Sequence, residues 1–77
     1  MKKFKNTLNL LPISHTSTIK KINCNNSSKR RLLDLGLIEN SKIKAVLKSP
    51  SKGLTAYSIR GTLIAIRDED SSLIEIY

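Results

Sequence analysis

Apolar residues fall along this chain in short alternating runs, and the period is mostly two. In "SKIKAVLKS", Ile43, Ala45 and Leu47 share one face, while Lys42, Lys44 and Lys48 share the other with Val46 among them. That is the pattern of a strand with one wet face. "STIKKIN" is β-branched and half apolar, which predicts a first strand over Ser17 to Asn23. Past the turn signal "PSKG", the run "LTAYSIRGTLIAIRDEDSSLIEIY" gives three more strands, divided at Gly61 and at an acidic hairpin turn from Asp68 to Ser71. "TLIAI" departs from alternation, because Ile64 and Ile66 point one way, Leu63 and Ala65 the other, and all are apolar. Such a strand is either covered on both sides within the fold or has one face that meets a partner. Ahead of the first strand, "TLNLLPISH" offers Leu8, Leu11 and Ile13 to a core as an anchored turn, since Pro12 bars a long helix.

The period changes once, in "NNSSKRRLLDLGLIENSKI". Ser27 or Ser28 is placed to cap a helix that begins near Lys29. Gly36 is placed to end it at C′, with Leu37 folding back on Leu32 in a Schellman contact. About two turns are marginal alone, so packing must hold them, and Leu32 with Leu35 supplies the apolar stripe. Lys29, Arg30 and Arg31 then stand in the first turn, where the macrodipole opposes each cation by roughly 0.3–1 kcal/mol. Asp34 answers Arg30 or Arg31 only weakly, by about 0.3–0.5 kcal/mol. The three cations either face an acidic partner or form a solvated face. Five short strands and one short α-helix predict an all-β fold, a small barrel.

Composition sharpens this. Seventy-seven residues make one domain, 1–77, with 14 Lys and Arg against 6 Asp and Glu and a net charge of +8. That surplus points to an anionic partner or surface. It is also uneven, since eight of the cations lie at or before Arg31 while the first acid is Asp34. The single cysteine, Cys24, excludes an internal disulfide and fits a reducing compartment, where a lone Cys is most simply a small buried residue. The basic opening is no signal peptide, because Thr7, Asn9 and Pro12 interrupt its apolar part. Residues 1–6 are expected to fray. Lys2, Lys3 and Lys5 around Phe4 are able to touch an anionic membrane, but fraying accounts for them more simply. Nothing approaches the ~20 apolar residues of a membrane span. A soluble, cytoplasmic protein is expected.

Catalytic chemistry is thinly provided. His15 and Cys24 are single, no nucleophile sits in a triad-like arrangement, and the three glycines are isolated. An enzyme is therefore not expected, and neither is a cofactor. Asp68, Glu69 and Asp70 lack the spacing of a calcium loop, and His15 with Cys24 is too small a set for a closed transition-metal site, so no metal is expected. Nucleic acid suits the charge but not the aromatic content, which is Phe4, Tyr57 and Tyr77 alone. A small basic nucleic-acid-binding module that touches only phosphates survives as the alternative.

Two segments, "KRRLLDLGLIENSKIKAVLKSP" and "AYSIRGTLIAIRDEDSSLIEIY", closely resemble the ferrous iron transport protein A (FeoA) family, over about Leu8 to Tyr77. Arg30, Arg31, Leu32, Asp34, Leu35, Gly36 and Leu37 carry the likeness, with Ile64, Ala65, Ile66 and Arg67 matching a later strand motif. The resemblance implies an SH3-like small barrel in the cytosol. It also implies a non-enzymatic accessory role in ferrous iron uptake, with the membrane Fe(II) transporter that carries a GTPase domain as partner. Membrane proximity would then come through that partner, and homo-oligomerisation stays open. A related module occurs in iron- or manganese-dependent repressors, but their helix-turn-helix domain has no place in this chain. Ser14, Ser17 and Asn40-Ser41 stand where the family usually has glycines or a Gly-containing pair, and "SPSKGLT" is short and plain.

On this reading Lys29, Arg30, Leu33 and Leu37 present a mixed basic and apolar patch to the transporter, with steering from charge and affinity from apolar burial. Arg31, Leu32, Asp34, Leu35 and Gly36 form the structural motif, with Arg31 turned toward Asp34 or the barrel.

Overall fold

The alternating runs pair into one antiparallel sheet of five strands, in the order β4-β3-β2-β1-β5. The strands are β1 (Thr16–Ile22), β2 (Lys42–Lys48), β3 (Leu54–Ile59), β4 (Thr62–Arg67) and β5 (Ile74–Ile76). Helix α1 (Asn26–Asp34) joins β1 to β2, a 3-10 turn at Leu8–Leu10 precedes β1, and a one-turn helix, α2 (Asp68–Ser71), separates β4 from β5. This computed structural model describes residues 6–49 and 53–77. The expected frayed terminus, up to Lys5, and Pro50 to Lys52 of the "PSKG" turn lie outside the described residues. The SH3-like barrel with a short α-helix between β1 and β2 is the architecture observed, with α2 as a further single turn. The acidic segment differs from expectation, being a helical turn rather than a hairpin. Asp68, Glu69 and Asp70 occupy its first turn, where carboxylates suit the dipole, and the Asp68 amide donates to Gly53 O at 2.7 Å.

The core takes one face from every strand: Ile19 and Ile22, Ile43 and Ala45, Tyr57 and Ile59, Ile64 and Ile66, Ile74 and Ile76. Leu8, Cys24, Leu32 and Leu37 close it from the connections. Tyr57 is buried to its tip, and its hydroxyl donates to Leu8 O at 3.4 Å, which ties the 3-10 turn to the barrel. Of the three residues expected to anchor that turn, Leu8 is wholly buried and Leu11 partly so. Ile13 is turned out to solvent.

Two bulges decide which side chains face out. In β2, Ala45 pairs with Tyr57 and Leu47 with the next residue, Ala56, so Val46 is extra. One inserted residue shifts the phase by a face. Leu47, expected to share the buried face of Ile43 and Ala45, is therefore exposed. In β1 a register shift lies between Ile19 and Lys21, and Lys20 and Lys21 are both outward.

The chain reverses tightly between β3 and β4. Arg60 and Gly61 have φ of 52° and 81°, the two positive values that a type I′ hairpin turn needs. Asn40 (φ 72°) keeps its turn, as asparagine tolerates this region. Ser14 (φ 77°) is held there at the entry to β1 by its amide donating to Ala45 O at 2.7 Å. For "TLIAI" the outcome is one-sided. Ile64 and Ile66 enter the core, whereas Leu63 and Ala65 stay exposed.

Candidate partner-binding surface

Helix α1 starts a turn earlier than expected. Its cap is Asn25, whose Oδ1 accepts from the Ser28 amide at 2.9 Å, and its first i to i−4 bond runs from Lys29 N to Asn25 O at 2.8 Å. Asparagine competes well with serine for this role, so Ser27 and Ser28 fall inside the helix. Lys29, Arg30 and Arg31 consequently sit mid-helix, and Arg31 lies in the last turn, where the dipole favours a cation. The expected conflict between these cations and the helix dipole does not exist. Asp34 also pairs with neither arginine, since the ion pairs among the described residues are those of Arg67 with Glu69 at 3.3 Å and Asp70 at 3.4 Å.

The C-terminal end is as the sequence reads. Gly36 has φ 98°, its amide donates to Leu33 O, and Leu37 donates to Leu32 O, both at 2.9 Å. These are the two bonds of a Schellman motif. Leu32 and Leu37 pack into the core, and Leu37 is wholly buried. That corrects its expected place in the exposed patch: the fold-back that satisfies Leu32 O drives its side chain inward. Leu35, expected beside Leu32 in the buried stripe, is 41% exposed and lines the open cleft between α1 and β4.

Leu33 stays outside at 54% exposure, and Ile38 joins it at 36%. The two line a cleft of about 240 Å³ with Ile22, Lys29, Leu37 and Glu39. Three of the four expected patch residues thus remain on the surface, with Lys29 and Leu33 on one cleft and Arg30 exposed on the same helix. Ile38 was missed, yet it had a signal: once Gly36 commits Leu37 to fold back, the next apolar residue must point elsewhere. A second cleft, about 300 Å³, separates α1 from β4. It is lined by Ser28, Arg31, Leu32 and Leu35 on the helix side and by Leu54, Ala65, Ile66, Arg67 and Asp70 opposite. Arg31 is exposed at the edge of that cleft.

Neither cleft holds a nucleophile paired with a base. The Cys24 thiol is buried and donates to Asp70 O at 3.6 Å, and burial, then the Asp70 charge, pushes it up. Burial likewise pushes the Tyr57 phenol up. Among the described residues no three His, Cys, Asp or Glu side chains gather as metal ligands, and no helix is long and apolar enough to cross a membrane. The surface around the cleft of Lys29, Leu33 and Ile38 offers apolar contact and positive charge.

The FeoA domain family matches residues 6–77, nearly the whole chain. The chain belongs to the FeoA family. That family is associated with ferrous iron transport. No curated protein matches. Among solved structures, the chain is similar to the FeoA protein of Chlorobium tepidum, with TM-score 0.87 and 22% identity over 92% of this chain and 68% of that one. It is similar to the zinc-complexed FeoA of Stenotrophomonas maltophilia, a prokaryotic SH3-domain protein, with TM-score 0.80 and 22% identity over 95% and 91%. A manganese-dependent transcriptional repressor matches with TM-score 0.84 and 14% identity, over 92% of this chain and 40% of its own length. FeoA chains and that repressor share the barrel.

Proposed function

We propose that this FeoA-family chain is a non-enzymatic cytosolic accessory protein of ferrous iron uptake, and that it docks on the cytosolic part of the membrane Fe(II) transporter carrying a GTPase domain. The docking surface is Lys29, Arg30 and Leu33 of α1 together with Ile38 just beyond the helix. One observation carries the reading: Leu33 and Ile38 remain 54% and 36% exposed around a cleft beside Lys29, although Leu32 and Leu37 already fasten the helix to the barrel. A helix held by two buried leucines needs no exposed pair for stability. Apolar anchors within a cationic rim combine burial with steering toward an acidic partner.

Pull-down of the purified cytosolic part of the transporter tests this. Reversing charge in the pair Lys29→Glu and Arg30→Glu, or changing Leu33→Ser with Ile38→Ser, should weaken capture by at least about tenfold with the thermal melt nearly unchanged. Undiminished capture by both pairs would reduce the patch to a solvated face.

A further inference from the structure

The outward face of the sheet can be read row by row from the strand register. One row runs Thr16, Lys44, Ser58, Leu63 across β1, β2, β3 and β4. The next, Leu47, Ala56, Ala65, is apolar throughout, and on the other side of Lys44 lie Thr18 and Lys42. Leu47 is 57% and Leu63 60% exposed, among the most exposed apolar side chains described. Lys42 and Lys44 are exposed as well, and Arg31 lines the same cleft between α1 and β4 as Ala65. No carboxylate stands in any of these rows. Leu47 is there only because the bulge at Val46 turns it out, so the patch is a product of the strand's irregularity, and such devices re-aim side chains where a surface is used.

We propose that this face of the sheet rests on an anionic phospholipid bilayer, with Leu47 and Leu63 entering the headgroup boundary and Lys42 and Lys44 reaching to lipid phosphates. Charge complementarity chooses the occupant. A second copy of a chain with net charge +8 would set lysine against lysine across the two rows. Protein interfaces are depleted in lysine, whereas a bilayer surface gains about 1 kcal/mol for each Lys or Arg brought near anionic headgroups. Long lysine stems can lie along apolar surface while the ammonium stays wet, which fits lysines bordering an apolar row. Lys20, whose ammonium lies 5.8 Å from the Tyr77 ring centre, borders the face on the β1 side with an exposed aromatic of the kind that settles at membrane interfaces, and the carboxylate side chain at that edge, Glu75, stands opposite Lys21. The proposal needs no transporter, so it stands or falls separately from the docking surface on α1.

Vesicle flotation of the purified chain tests it, comparing phosphatidylcholine vesicles with others containing about 30% phosphatidylglycerol. Binding is expected to the anionic vesicles alone and to fall as salt is raised. Lys42→Glu with Lys44→Glu, and separately Leu47→Ser with Leu63→Ser, should each lower it by about tenfold or more, with melting temperatures near that of the parent. Lys29→Glu with Arg30→Glu serves as a control and should lower it less than the Lys42 and Lys44 pair. Three results would overturn the proposal: a parent that ignores anionic vesicles, variants that float like the parent, or a parent dimer split by Leu63→Arg. Equal salt-sensitive binding to duplex DNA, lost in the same lysine pair, would assign the face to nucleic acid instead.

Discussion

The amide of Leu37 donates to the carbonyl of Leu32 across 2.9 Å, and this bond sorts the segment's apolar residues into structural and exposed ones. It forms only if the residue between helix and strand turns left-handed, and Gly36 does so at φ 98°. A Cβ built there meets nothing within 4 Å, so the cost of adding one is conformational alone. Gly36→Ala should lower stability by about 1 kcal/mol, read as a fall of about 5 °C in a thermal melt. An unchanged melt would mean that the turn does not need a left-handed residue.

The same bond separates two leucines that the sequence leaves alike. Leu37→Ala opens a cavity in a core position and should cost about 2–5 kcal/mol, enough to unfold much of so small a domain. Leu33→Ala, more than half exposed, should cost no more than about 0.5 kcal/mol. Denaturant titration of the two variants gives the comparison directly. Equal losses would place both side chains in the core.

Ser14 holds φ 77° with a Cβ in the way. Strain of this kind costs of order 1–3 kcal/mol, and glycine would remove it at the expense of a more flexible unfolded chain. Ser14→Gly should therefore raise stability by about 0.5–1 kcal/mol. A lowered melting temperature would show that the hydroxyl, not the backbone, is what the site requires.

Stability should respond to alkali through Cys24. Burial, with the Asp70 charge adding to it, pushes the thiol up, so the folded state keeps its proton where the unfolded chain has lost it. The stabilisation is fully present below the unfolded thiol's ordinary value, about 8.5, and is lost as pH rises through the folded value. Tyr57, also raised by burial, adds a second loss above about pH 10. The melting temperature should be flat to about pH 8 and fall above about pH 9, less steeply in Cys24→Ala. A thiol reagent at pH about 8 should label Cys24 slowly in the native protein and quickly in denaturant. Fast native labelling would mean that the thiol is open to solvent.

How much was legible depended on the range of the interaction involved. The helix end at Gly36, the reversal at Gly61 and the left-handed Asn40 are local: each follows from which residues tolerate positive φ, and neighbours in sequence decide it. Most strands between them were legible for the same reason, since alternation such as that of Ile43 and Ala45 with Lys42 and Lys44 is written in consecutive residues. The start of the helix was local too, but Asn25, Ser27 and Ser28 compete for one cap, and the sequence does not rank them.

Tertiary structure decided the rest. That Leu47 faces outward depends on the bulge at Val46, which exists only in the pairing of β2 with β3. That Leu63 and Ala65 stay exposed depends on how the barrel closes, with α1 meeting β4 only across a cleft that Ala65 lines. The cleft of Lys29, Leu33 and Ile38 depends on where Leu37 is driven when the core closes. Periodicity tells which residues share a face; only the closed barrel tells which faces remain outside, because burial is a property of what packs opposite and not of the strand itself.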